Sequence, residues 1–399
     1  MSEIPQRLDE LTPAWLSQAL DGMLAGARVE RVEVEPLGEG EGFVGMLARL
    51  RLELDRPAPG APTRVIAKLP TEVAANRATG ELLGAYEREI RFYRELAPRV
   101  AYRTPALYAA LMDENPASRF GPAILRFVDR LPRWLVRAVL ACFGWIARRS
   151  RRRYLLLIED LAPARVGDQL EGRSPAQCEP VLRAIAEAQV PFWQSEWLAQ
   201  QYWIAPMDAG LRIAHELYLS SRPLFEARYR ARLSPRDREV LDWLAERAPA
   251  LTQRLHAEAP VSLVHGDFRL DNLLFDDDRA PRVVDWQGVA RGPAPYDVAY
   301  FLSGALMPEV PVESEVSLVA GYHRALLEGG VQGYALDACL RDYRRSLLGV
   351  LHRMVTIDRV ELGDGRGVAL FDTWVDRIFA RIAGIDCDGL LQERLIAGP

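Results

Sequence analysis

Val264-His265-Gly266-Asp267-Phe268-Arg269-Leu270-Asp271-Asn272-Leu273-Leu274-Phe275 sets a carboxylate three residues after a short apolar run and an amide five residues further along the same loop. In phosphoryl transfer a carboxylate orients the accepting hydroxyl and takes its proton, while an amide oxygen on the same loop coordinates Mg²⁺. The spacing Asp-x-x-x-x-Asn thus has a mechanical reason, with Asp267 the candidate base and Asn272 a candidate metal ligand. Thirteen residues beyond Asn272, Val283-Val284-Asp285-Trp286 ends a second short apolar strand in a carboxylate, a position that suits another metal ligand. The intervening Asp276-Asp277-Asp278-Arg279 reads as a solvated hairpin turn, because consecutive side chains diverge. His265 reads as a residue that fixes the loop by hydrogen bonds, since no serine or cysteine nucleophile accompanies it.

Upstream, the patterning is mainly that of strands. Residues 2–26 read as an opening helical segment that starts at Thr12-Pro13. Arg31–Glu35 alternates, and Met46–Leu54 sets Leu50, Leu52 and Leu54 against Arg49, Arg51 and Glu53, the period of a half-buried strand. Between them, Gly40-Glu41-Gly42-Phe43-Val44-Gly45 satisfies the dinucleotide spacing G-x-G-x-x-G. A Rossmann turn must open a helix, whereas this one precedes an alternating strand, so a glycine-rich hairpin over phosphates fits better. Its glutamates would repel phosphate if turned inward, which leaves the contacts to backbone N–H groups. No G-x-x-x-x-G-K-[ST] loop occurs.

A short apolar strand, Arg64-Val65-Ile66-Ala67-Lys68-Leu69, carries the chain's single lysine against forty-nine arginines. A lysine retained where arginine is otherwise universal suggests a place that needs a compact ammonium on a flexible stem. A charged helix is expected from about 80 to 96, and further strands at 105–111 and 154–158. From Pro175 onward helical patterns dominate (179–197, 235–256 and 314–327), interrupted by strand-like pieces at 262–264 and 282–284. Aromatic residues Trp193, Trp197, Tyr202 and Trp203 are candidates for a substrate-facing surface or for core packing.

At 399 residues, 49% hydrophobic and 26% charged, the chain has the composition of a globular protein of two lobes or domains, not of a disordered or disulfide-dense one. A net charge of −5 argues against a broad nucleic-acid footprint. Four scattered cysteines form no C-x-x-C pair, and Met1–Leu20 lacks the pattern of a secretory signal, so a cytoplasmic location is expected. Residues 113–153 form an insertion in which Arg119 to Arg153 contribute ten arginines and one acid, around an uncharged run, Ala138–Ala147. That run is shorter than the roughly 20 residues of a membrane span. The readings are a helical insertion packed on the body or, less favoured, a membrane-surface contact through 119–153 or a contact with a lipid-like substrate.

These motifs together resemble the aminoglycoside phosphotransferase and choline kinase superfamily, whose loop reads His-Gly-Asp, four residues, then Asn, and which is distantly related to protein kinases. Gly38-Glu39-Gly40, Arg88-Glu89-Ile90-Arg91-Phe92-Tyr93, Leu157-Ile158-Glu159-Asp160-Leu161 and Asp285-Trp286-Gln287 look most like the ecdysteroid-kinase-like phosphotransferases. His265–Asn272 is also similar to the kinase-like domain fused to some acyl-CoA dehydrogenases. The resemblance runs from residue 37 to about 303. It implies Asp267 as catalytic base, Asn272 and Asp285 as Mg²⁺ ligands, and Lys68 as partner of the nucleotide α/β-phosphates. Glu89 would hold Lys68, with Glu87 as the competing carboxylate. Gly38, Gly40 and Gly42 would cover the phosphates, and Glu159 to Leu161 would form the inter-lobe hinge that meets the adenine edge. Trp286-Gln287 replaces the kinase Phe-Gly, and Gly292–Asp297 follows too closely for an activation segment, which favours small substrates. Gln189 stands where relatives often have histidine, which puts any family role there in doubt and leaves packing as its plain reading.

The expected fold is therefore α+β and protein-kinase-like. Residues 1–159 would form a nucleotide-binding lobe, an antiparallel sheet with one main helix and the insertion at 113–153. Residues 160–399 would form a larger helical lobe with the loop 265–272 and Asp285, and ATP would lie between the lobes. The expected activity is ATP- and Mg²⁺-dependent phosphorylation of a hydroxyl on a small molecule. Aminoglycoside, macrolide, choline-like, steroid and sugar acceptors all stay open, as does a catalytically silent nucleotide- or ligand-binding module on the same scaffold.

Overall fold

The alternation read in the N-terminal strands produces a five-stranded antiparallel sheet. The structure, a computed structural model, describes residues 3–37, 45–276, 280–357 and 365–392. Its strands are β1 (Val29–Leu37), β2 (Gly45–Leu54), β3 (Arg64–Pro70), β4 (Leu107–Met112) and β5 (Tyr154–Glu159), in the order β1-β2-β3-β5-β4. Because successive side chains leave a strand on opposite faces, Leu50 and Leu52 are buried while Arg51 and Glu53 are exposed. Those leucines join Val65, Ala67, Leu69, Leu155 and Leu157 in a core closed by Leu11, Leu16 and Leu20, from helix α1 (Pro13–Ala19) and its flanks. With Val65, Ala67 and Leu69 committed to this core, Ile66 and Lys68 leave β3 on the other face.

Two helices follow β3 where one was expected. Helix α2 (Ala74–Leu83) ends at Gly84, and α3 (Ala85–Arg91) starts after it. Gly84 has φ +64°, a left-handed conformation that residues with a Cβ seldom adopt, and it caps α2. A π-helical turn, Phe92–Leu96, extends α3. The opening helix is likewise shorter than its sequence segment. Thr12 caps it by accepting a hydrogen bond from the Trp15 N–H at 3.3 Å, and 3₁₀ turns flank it at Leu8–Glu10 and Asp21–Met23.

The chain groups into two units, the first made of Met1–Pro116, Ala141–Ala164 and Val283–Gly288 and the second of Ala117–Leu140, Arg165–Arg282 and Val289–Pro399. Two segments thus group away from their sequence neighbours. Residues 117–140 of the insertion belong with the second unit, where Arg133 and Arg137 pair with the buried carboxylate of Glu216. Asp129 accepts from the N–H groups of Gly210 and Arg212 at 2.9 Å each, tying the same segment down. Val283–Gly288 belongs with the first unit, where the Val283 N–H donates to the Arg103 carbonyl at 2.8 Å.

The second unit is helical apart from short strand pairs. Its helices are α4 (Gly121–Val128), α5 (Arg133–Ala147, which runs on into the first unit's residues), α6 (Pro175–Gln189), α7 (Glu196–Gln200), α8 (Leu211–Arg228), α9 (Pro235–Glu258), α10 (Tyr296–Ala305), α11 (Val312–Glu328), α12 (Leu336–Ile357), α13 (Arg366–Ile382) and α14 (Cys387–Gln392). Ser-Pro pairs start α6 and α9 with reciprocal capping boxes, Ser174 with Gln177 and Ser234 with Asp237. Helix α6 stops at Gln189, short of the expected 197. Pro191, which cannot donate to a continuing helix, lies in the 3₁₀ turn that follows. Val261–Val264 pairs antiparallel with Ala290–Pro293, and Arg165–Val166 with Leu274 and Phe275. These pairings flank the 265–272 loop.

Helix α12 packs on α8, α9, α10 and α13. Where it meets α8, the His352 ring stacks on Tyr218 at 4.5 Å and on His215 at 5.7 Å. Burial, with the neighbouring His215 adding to it, pushes His352 down to about 3 from its ordinary 6.5. The unfolded chain therefore takes up a proton near pH 6.5 that the folded chain resists, and stability is lost as pH falls below 6.5. The loss has a slope of up to about 1.4 kcal/mol per pH unit. Urea unfolding of His352→Phe between pH 7 and about pH 4 should show a shallower acid decline than the wild type. Equal slopes would remove His352 as its source.

Candidate active site

The strand register that turns Lys68 away from the core directs its ammonium to two carboxylates. Lys68 Nζ lies 2.8 Å from Glu89 Oε2 and 2.6 Å from Asp285 Oδ1. Glu89 comes from α3 and is buried, and the Gln287 amide also donates to its Oε2 at 3.4 Å. Glu87, two residues earlier on the helix, faces elsewhere and is taken by Arg91 at 3.0 Å and Arg152 at 3.4 Å. Of the two glutamates, Glu89 is the one that meets Lys68. Burial works against the Lys68 ammonium, but the charges of Asp285 and Glu89 outweigh it and hold its pKa above the ordinary lysine value.

Asp285 occupies an unusual backbone position, with φ +64° in a residue that is not glycine. Such a conformation persists only where the surroundings over-determine it, and it concentrates at functional sites. Here the constraint is the next residue. Trp286 is fully buried, stacks on Phe92 at 3.8 Å with 7° between the rings, and donates its indole N–H to the Val283 carbonyl at 3.2 Å. Trp286 is therefore a pin that fixes where Asp285 points.

The second unit carries the other group of predicted residues. Gly266 has φ +78°, and the turn it allows brings the N–H groups of His265 and Gly266 onto the carboxylate of Asp297, at 2.7 and 3.0 Å. His265 Nδ1 accepts from the Asp267 N–H at 3.2 Å, the loop-fixing part expected of it. Phe268, fully buried, anchors the loop edge-on against His265 and Phe301. Asp267 then receives a hydrogen bond from the Tyr300 hydroxyl at 2.6 Å, and the Asn272 amide donates to its Oδ2 at 3.1 Å and to its backbone oxygen at 2.8 Å. Burial pushes the Asp267 carboxyl up, but the guanidinium charges of Arg269 and Arg353 and the Tyr300 hydrogen bond prevail and hold it below the usual aspartate value. It is a carboxylate at neutral pH.

Sequence reasoning did not single out Asp297, Tyr300 or Arg353 as site residues. Asp297 had a legible signal: it is the lone charge in the apolar run Tyr296–Ala305, and a buried charge requires partners. Tyr300 lies one turn further along the same helix. Arg353 comes from α12, 53 residues beyond Tyr300, with its guanidinium 6.0 Å from the Tyr300 ring, and nothing local to it marks it.

Gly38, Gly40 and Gly42 lie outside the described residues. Glu159 ends β5, its side chain accepting from the Ala106 N–H at 3.1 Å, and Leu161 is buried. Gln189 is a packing residue: its amide donates to the Ala294 carbonyl at 2.8 Å and accepts from the Tyr322 hydroxyl at 2.6 Å. The tryptophans after it have separate partners, Trp193 against Tyr334 and Trp197 against Phe192. Among the described residues no group of three His, Cys, Asp or Glu side chains gathers as a metal site. The donor chemistry for Mg²⁺ is nonetheless present. The Asn272 amide nitrogen is turned to Asp267, which leaves its oxygen for a ligand, and Asp285 offers a carboxylate; both are the hard oxygen donors that ion takes.

The model of the phosphotransferase enzyme family (APH) matches residues 37–337 of the chain. A stretch of 69 residues, 17% of the chain, is 41% identical to the probable acyl-CoA dehydrogenase IBR3 of Arabidopsis thaliana, and the match spans only 8% of that protein's length. Among solved structures, choline kinase from Cryptosporidium parvum Iowa II aligns with a TM-score of 0.50 at 11% identity, over 90% of this chain and 91% of that one. A choline/ethanolamine kinase family protein from Mesorhizobium loti aligns with a TM-score of 0.46 at 14% identity, over 90% and 91%. The likeness to the choline kinase is one of fold, the α+β class with an N-terminal antiparallel sheet and a helical remainder.

Removing the pin has a measurable cost. Trp286→Ala deletes a buried ring and its stacking on Phe92, and should lower unfolding stability by about 3–5 kcal/mol in denaturant titration. A loss below about 1 kcal/mol would show that Trp286 does not hold the segment.

Proposed function

We propose, because this chain belongs to the phosphotransferase enzyme family and is a small-molecule kinase, that it moves the γ-phosphate of ATP to a hydroxyl of a small acceptor with the help of Mg²⁺. The observation that carries the reading is the chain's only lysine bonded at once to Glu89 and Asp285, at 2.8 and 2.6 Å. An ammonium oriented before nucleotide arrives needs little further ordering to stabilise phosphate charge. Asn272 and Asp285 would hold Mg²⁺, which supplies charge neutralisation to the phosphate oxygens.

Asp267 would accept the hydroxyl proton of the acceptor as that oxygen bonds to the γ-phosphorus. The P–O bond to ADP breaks, and its electron pair leaves with ADP. A carboxylate held below the usual aspartate value is ionised and ready for this part at neutral pH. Tyr300 and Asn272 would orient it, each bonded to a different carboxylate oxygen. The short stretch from Asp285 to Asp297 supports a small acceptor, since it leaves no length for an activation segment.

ATP consumption over a panel of chemically diverse alcohols, with and without Mg²⁺, tests the reading. Turnover should require Mg²⁺ and fall by about 10²–10⁴-fold in Asp267→Asn. Tyr300→Phe should cost about tenfold in kcat, the worth of one hydrogen bond to a charged group. Glu89→Gln should impair turnover where Glu87→Gln does not. Nucleotide binding without turnover across the whole panel would overturn the reading in favour of a silent binding module.

A further inference from the structure

Arginines 119–153 fall into two kinds. Arg133 and Arg137 pair with Glu216, Arg152 with Glu81 and Glu87, and Arg153 with Asp113, so these four hold the segment to its surroundings. Arg119, Arg126, Arg130, Arg148, Arg149 and Arg151 are all exposed, and no carboxylate pairs with them among the described residues. The segment's one acid, Asp129, is already used at the N–H groups of Gly210 and Arg212.

Between these free charges lies apolar surface at helical spacing. Phe120, Ile124 and Phe127 are exposed along α4 and the turn before it. On α5, Trp134 is 70% exposed and Trp145 58% exposed. Eleven residues are three turns, so both indoles stand on one face, with exposed Ala138, Ala141 and Cys142 between them. The opposite face is the packed one, centred on fully buried Val136. Among the described residues, Phe120, Phe127, Trp134 and Trp145 are all the exposed phenylalanines and tryptophans. Arg149 lies over the Trp145 ring at 3.8 Å and Arg119 over the Phe120 ring at 4.8 Å, cations set beside the aromatic faces.

We propose that residues 119–151 are a contact surface for the anionic phospholipid face of a bilayer, with the aromatic stripes of α4 and α5 seated at the headgroup boundary and the six unpaired arginines on lipid phosphates. Aromatic and aliphatic side chains on one helix face with arginines beside them are the signature of a helix that lies in the interface. No helix among the described residues is long and apolar enough to cross a membrane, so the contact is peripheral. A second copy of the chain fits this face poorly, because two such faces would bring six unpaired arginines against six with no free carboxylate in either segment. The chain's total of −5, against nine net positive charges in Arg119–Arg153, leaves the rest acidic and would orient this face toward the lipid. The contact does not depend on the phosphotransfer reading.

Co-sedimentation of the full chain with phosphatidylcholine vesicles, with and without phosphatidylglycerol, tests the proposal. Partitioning onto the anionic vesicles should exceed that onto neutral ones by about tenfold or more at low salt, and fall as salt screens the charges. Tryptophan emission should shift to the blue on the anionic vesicles. The pair Trp134→Ser and Trp145→Ser, and separately the triple Arg148→Gln, Arg149→Gln and Arg151→Gln, should each cut anionic binding by about tenfold. Both sets should leave the melting temperature in place, since these side chains are exposed. Pelleting with neither vesicle, equal pelleting with both, or variants that bind like the wild type would overturn the proposal. Concentration-dependent dimers abolished by the tryptophan pair would assign the face to a second copy instead.

Discussion

A single ammonium joins three parts of the first unit that are far apart in sequence. Lys68 reaches from the third strand to Glu89 on α3 and to Asp285 in a segment that returns to this unit after more than a hundred residues. Burying that charge opposes its ionised form, and the charges of Asp285 and Glu89 reverse the balance. The geometry explains why lysine survives in a chain that otherwise uses arginine. One compact nitrogen bonds two carboxylates at 2.6 and 2.8 Å, where a planar guanidinium would spread its donors over a wider fork. The left-handed backbone at Asp285 and the Trp286 stack on Phe92 are the local means of delivering the second carboxylate.

The second unit solves a related problem with hydrogen bonds. Asp267 must stay ionised though largely enclosed, and it does so through Arg269, Arg353 and the Tyr300 hydroxyl. The loop that bears it is clamped from below by a second buried carboxylate, Asp297, which binds two backbone N–H groups and fixes the left-handed turn at Gly266. Each carboxylate that the phosphotransfer reading uses is thus held by groups from another element, so orientation is settled before any ligand arrives. The insertion follows the same division. Four of its arginines pair with buried or half-buried carboxylates, and the other six are exposed, as are Phe120, Phe127, Trp134 and Trp145 in the same segment.

Much of this was legible without coordinates because it is encoded at short range. Strand periodicity placed β2 and β3, the Asp267–Asn272 spacing put both groups on one loop, and the count of one lysine marked Lys68. The α+β class follows from the same periodicities, and Ser-Pro starts of α6 and α9 have local capping chemistry.

Partner choice is another matter. Glu87 and Glu89 are two residues apart on a helix and so point about 200° from each other, and which of them meets Lys68 depends on how α3 packs on the sheet. The break at Gly84, the return of Val283–Gly288 to the first unit, and the approach of Arg353 to Tyr300 are likewise products of packing between distant segments. Local sequence dictates which face a side chain takes on its own strand or helix. What stands opposite that face is decided by the long-range contacts that bury it.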